Sequence, residues 1–128
     1  MNLIKTLNIE IWGRKFSLNV EYDCYPGEEI TLKQIEAINR LSNNVSWFNN
    51  AKEKVVKYCK AQVDNDDKNE KKDNIFSYVK PEAIFVKRDN VKSRIALMCR
   101  YRYDPEHGLA IVFDETGNIT IGPQDIIL

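Results

Sequence analysis

The hydrophobic period changes twice along this chain, and that change constrains the fold more than any other feature. Leu7, Ile9 and Ile11 alternate with Asn8 and Glu10, and Phe16, Leu18, Val20 and Tyr22 alternate with Ser17, Asn19 and Glu21. A period of two predicts half-buried strands. The break at Trp12-Gly13-Arg14-Lys15 predicts a β-hairpin, with Gly13 supplying the backbone angles of the turn. Pro26-Gly27 ends the second strand. The period then lengthens. Thr31 and Gln34 form a capping box, and Leu32, Ile35, Ile38 and Leu41 follow at helical spacing. Ser42-Asn43-Asn44 breaks this helix, and Asn43 or Asn44 is a cap for a longer one over 45–63. Its inner stripe is Trp47 or Phe48, Ala51, Val55, Tyr58 or Cys59, and Val63, with Lys52, Lys54, Lys57 and Lys60 towards water.

Residues 64–74, DNDDKNEKKDN, hold no apolar side chain and predict a mobile, solvated loop. One helical turn is expected over 75–79, and a strand over 83–87 after Pro81. The last third returns to a period of two. Ile95, Leu97, Cys99, Tyr101 and Tyr103 share one side of a strand over 94–103, with Ala96, Met98, Arg100 and Arg102 on the other. Residues 109–113 are apolar throughout, as in a strand buried on both faces. A turn over 115–118 leads to a short strand over 119–121. The order ββααββββ predicts a single α+β domain over 1–128. One antiparallel sheet of about six strands carries the helical pair on one face, and the other face stays wet.

Charge and cysteine content bear on function. Lys plus Arg and Asp plus Glu both number 19, so the formal charge is zero. Nucleic-acid binding needs a positive surplus, so none is expected. No run approaches the roughly 18 apolar residues that span a bilayer, and the first seven residues lack the apolar core of a signal peptide. Cys24, Cys59 and Cys99 are odd in number and widely spaced. Free thiols in a reducing cytoplasm are the expectation. Every glycine is isolated at a turn or strand end, so no phosphate-binding loop and no cofactor is expected.

Candidate chemistry is sparse. His107 is the single histidine, in Asp104-Pro105-Glu106-His107-Gly108. A general base beside Glu106 is one reading; a hairpin turn, in which Asp, Pro and Gly each have a backbone role, is the favoured one. One histidine does not supply a His-rich metal site, and nothing marks a cysteine as activated, so neither catalytic residues nor a metal are expected. Arg100 and Arg102 share a strand face with Met98, and Lys87 is expected near them. They suit anion or protein recognition, weighed against an ordinary wet face. Trp12 either anchors a partner or closes one end of the core. Asp64, Asp66 and Asp67 form a local acidic run.

The run CRYRYDPEHGLAIVFDETGNITIG, from Cys99 to Gly122, resembles the end of an uncharacterised bacterial domain family. The matching residues are Cys99, Asp104, Glu106, His107, Gly108, Leu109, Phe113, Gly117 and Gly122, followed by Gln124-Asp125. Such domains resemble small proteins encoded beside polymorphic toxins. The resemblance implies an immunity protein that covers a cognate toxin domain and catalyses nothing. Trp12, Asp64, Asp66, Asp67, Arg100, Arg102, Glu106 and His107 are then the candidate partner contacts. A ligand-sensing domain with a pocket between sheet and helices, or a small enzyme using Glu106 and His107, are the alternatives.

Overall fold

The computed structural model describes residues 4–63, 74–89 and 92–128. Most of the loop expected over 64–74, with Asp64, Asp66 and Asp67, lies outside the described residues. The elements are β1 (Thr6–Ile11), β2 (Arg14–Tyr22), α1 (Leu32–Asn43), α2 (Ser46–Val63), β3 (Val79–Val86), β4 (Ile95–Tyr101), β5 (Leu109–Phe113) and β6 (Ile119–Gly122). Short 3-10 turns occupy Ile75–Ser77 and Gln124–Ile126. Among the described residues no helix is long and apolar enough to cross a membrane.

The six strands form one sheet in sequence order. All neighbours are antiparallel except β2 and β3, which run parallel with Asn19 opposite Ala83 and Tyr22 opposite Val86. The sheet is therefore mixed, and the purely antiparallel expectation is corrected. The cause is the course of the helical pair. α1 stays beside the ends of β2, β3 and β4: Gln34 Nε2 donates to the carbonyls of Asp23 (2.9 Å) and Val86 (3.2 Å), and Arg40 Nη1 to Ser93 Oγ (3.1 Å). Only α2 runs down the sheet, from Trp47 and Phe48 against Phe113 to Tyr58 against Tyr101. A single traverse returns the chain to the end where β2 began, so β3 must leave in the same direction.

Local sequence explains the helix ends. Thr31 Oγ1 accepts from the Gln34 N–H (3.2 Å), and Gln34 Oε1 accepts from the Thr31 N–H (2.9 Å). Gln34 thus closes the capping box and fastens α1 to two strand ends with one buried side chain. Asn44 closes α1: its Nδ2 donates to Arg40 O (2.7 Å) and its N–H to Leu41 O (3.1 Å). Phe48, Ala51, Val55 and Cys59 form the buried stripe of α2.

The hairpin between β1 and β2 has a two-residue loop, Trp12 (φ 51) and Gly13 (φ 84), with Ile11 opposite Arg14. Two left-handed residues match the twist of the flanking strands. Trp12 tolerates a conformation that bulky residues avoid because its side chain is held. The indole is 9% exposed, lies 5.8 Å from the Phe76 ring, and donates from Nε1 to Phe48 O at 2.7 Å.

β3 starts earlier than expected, with Pro81 inside it. A bulge between Pro81 and Ala83 adds one residue, which inverts the side-chain alternation. Val79 and Pro81 point to the helix face before it, and Ile84 and Val86 after it. Opposite them stand Tyr101, Cys99, Leu97 and Ile95. These eight side chains are buried in the layer under α1 and α2.

The outer face departs from the expected wet surface. Ala96, Met98, Ala110 and Val112 form a second apolar cluster with Ile127, and Phe85 packs against it. The chain after β6 makes this possible by folding back across the sheet. Ile127 is 1% exposed as a result.

Candidate functional site

Residues 104–108 and the C-terminal turn are built together. The Gly108 N–H donates to Asp104 O (2.9 Å), and the Gln124 N–H to His107 O (3.0 Å). Gln124 Nε2 donates to Cys99 O at 3.1 Å. Gly108 has φ +64, and a Cβ there would meet Gln124 Nε2 at 2.6 Å and Cys99 O at 3.0 Å. The Glu-His-Gly-Leu run and Gln124 therefore form a backbone lock that seats the tail carrying Ile127.

His107 lies exposed on this lock. Its Nδ1 sits 3.0 Å from Asp104 Oδ1. The hydrogen bond to Asp104, and then that carboxylate's charge, raise the His107 pKa; slight desolvation opposes them, and Glu106 and Asp125 add weaker attraction. The structure thus brings Asp104 to His107, while the expected partner Glu106, like Asp125, acts only through its charge. Cys59 and Cys99 are buried, and burial, then the charge of Glu82, push the Cys99 thiol far above its ordinary range. Cys24 is half-buried and donates to Glu28 O at 3.0 Å. Among the described residues no group of three or more His, Cys, Asp or Glu is placed to hold a metal ion.

Arg100 and Arg102 face outward at the opposite end of β4 from Ile95. With Ser77, Tyr78 and Lys80 they line an open depression of about 280 Å³. Lys80 stands directly across from Arg100 in the sheet. Glu82, in the bulge, reaches Arg100 Nη2 at 3.2 Å. The Arg102 N–H donates to Tyr78 O (2.9 Å), which fixes the strand exit, and its guanidinium lies 6.0 Å from the Tyr103 ring centroid. Lys87 is not part of this group. It sits at the other end of β3, where its Nζ is 3.2 Å from Asp23. Trp12 faces inward and closes the core beside α2. Lys80 escaped sequence reasoning because the strand was expected to begin only at residue 83.

A second depression, of about 480 Å³, lies along the first hairpin and is lined by Asn8, Ile9, Glu10, Lys15, Phe16 and Ser17. It belongs to the edge of the sheet and not to the space between sheet and helices, where the ligand-sensing alternative puts its pocket.

No curated protein and no solved structure shows a match to the chain. Residues 3–128 match the family described as Domain of unknown function (DUF6985), and the chain belongs to that family.

Proposed function

We propose that this protein works by docking: it is an immunity protein that covers a cognate bacterial toxin domain in the cytoplasm and transforms no substrate itself. The observation that carries the reading is the division of the outer face. One part is sealed by the C-terminal tail, and the other is left open with Lys80, Arg100 and Arg102 on it. Folding explains the sealed part; the open, charged part suits a partner's surface, since complementary charge speeds and orients association. His107 supports the same reading. A general base works best with a proton affinity near neutrality and a substrate within reach. Here the ring is exposed, its hydrogen bond to Asp104 raises its proton affinity, and its loop is already explained as a lock on the tail.

The test is co-expression with the variable C-terminal domain of a large secreted protein encoded beside this chain. Growth should be rescued, and rescue should persist in His107→Ala. Turnover of a metabolite by the purified protein, lost in His107→Ala, would contradict the proposal. A ligand-sensing role draws on the hairpin depression of about 480 Å³, which exceeds the roughly 300 Å³ at which small-molecule sites begin. Its lining by a single edge hairpin makes it the weaker reading.

A further inference from the structure

We infer that the depression formed by Lys80, Arg100 and Arg102 is a docking site for carboxylate side chains of a protein partner. The inference rests on the docking reading and gives that partner its surface chemistry.

The main observation is a pairing that the fold does not need. In an antiparallel pair, like charges directly opposite each other are destabilising, and opposite charges are favourable. The first hairpin follows this rule, with Glu10 opposite Lys15. β3 and β4 break it, with Lys80 opposite Arg100; Arg102, just past the end of β4, lines the same depression. Glu82 is the carboxylate that reaches Arg100. That contact is exposed, with side chains 70% and 46% accessible for Arg100 and Glu82, and such pairs are weak and exchangeable. Ser77 Oγ is committed to Asn74 O at 2.8 Å, and Lys80 meets Arg100 directly across the two strands.

Size and shape choose the occupant. At about 280 Å³ the depression falls just under the roughly 300–1,000 Å³ of small-molecule sites, and it is open where those enclose most of their ligand. A protruding Asp or Glu side chain, or two in sequence, fits such a shallow bowl, and guanidinium groups offer the paired donors that carboxylates accept. The neutral net charge of the chain is then compatible with a charged partner, because the positive charge is gathered locally.

The test is titration of the isotope-labelled full-length protein with a hexaglutamate peptide, and in a parallel arm with inorganic phosphate, followed by amide NMR. The peptide should shift the amides of Lys80, Arg100 and Arg102 saturably, and added salt should weaken it. Arg100→Gln with Arg102→Gln should lower affinity by about tenfold or more, as loss of charge-assisted contacts does. Lys80→Gln, at an exposed site with no packing role, should lower it severalfold. Lys52→Gln with Lys57→Gln, on the exposed face of α2, should leave it within a factor of about two, as distant sites do. The inference is overturned if the peptide shifts α2 in preference to this face, or if phosphate binds more tightly than the peptide. Failure here alongside rescue in co-expression removes the carboxylate site and leaves the docking reading intact; failure of rescue removes both.

Discussion

The two faces of this sheet are held by different means. The inner face, under α1 and α2, is apolar from Leu7 on β1 to Phe113 on β5, with side chains of the sheet packed against those of the helices. The outer face is apolar only where Ala96, Met98, Ala110 and Val112 gather under Ile127, and it turns cationic where β3 and β4 meet Lys80. Burial accounts for every residue of the first face. On the second face it accounts for the cluster under Ile127, and the end with Lys80 and Arg100 keeps a like-charge pair that folding alone disfavours. Under the docking proposal, stability and recognition are separated in space, within single strands.

Mutations should reproduce that separation. Leu97→Ala, at a fully buried inner position, is expected to cost about 2–5 kcal/mol in denaturant unfolding, since it leaves a cavity in a closely packed layer. A change within error would mean that the inner face is not the core. Ile127→Ala should cost less, about 2 kcal/mol, because the outer cluster is small and its covering tail can settle inward. If it equals or exceeds the Leu97 effect, the two faces contribute alike and the contrast fails. Lys80→Glu should do the opposite and stabilise by roughly 0.2–1 kcal/mol, replacing a like pair with an opposite one across from Arg100. Destabilisation by Lys80→Glu would show that the lysine serves the fold.

The smallest effect concerns pH. The folded His107 pKa is raised by Asp104, so its contribution is complete below the unfolded value near 6.5 and is lost as pH rises through the higher folded value. Stability should therefore fall slightly from about pH 6.5 upward, and His107→Asn should flatten that slope. Asp114 behaves inversely. Desolvation raises its pKa, but hydrogen bonds from the hydroxyl and N–H of Thr116 and from Asn118 outweigh it and hold the carboxyl low. Its contribution is present above its ordinary value and is lost as pH falls through the lowered one. Histidine and aspartate titrations by NMR check both signs.

Features set by near neighbours were readable from the chain. The alternation of β1 and β2, the Thr31 and Gln34 box, and the α2 stripe through Ala51 and Val55, though not the choice of Phe48 over Trp47 or Cys59 over Tyr58, each depend on residues within a few positions of one another. Features set by distant contacts were not. The parallel pairing of β2 with β3 follows from the course of the helical pair, with α1 held at the strand ends by contacts such as Gln34 to Val86 O, across 52 residues, and α2 alone traversing the sheet. Ala96 and Met98 read as a wet face because nothing near them announces the returning tail. Pro81 concealed the first half of β3, and with it Lys80 and the register that sets it against Arg100. The Glu-His-Gly-Leu run was visible, but its backbone role needed Gln124 and Cys99 to be seen beside Gly108.

The claim that this molecule acts through its open outer face meets its most direct test in one growth assay. Cells expressing the toxin domain that the docking proposal assigns as partner receive either the wild-type chain or Arg100→Glu with Arg102→Glu, with folding of both verified by their NMR spectra. The account predicts survival with the wild type and arrest with the charge-reversed variant. Equal survival with both proteins would place the working surface elsewhere and contradict it.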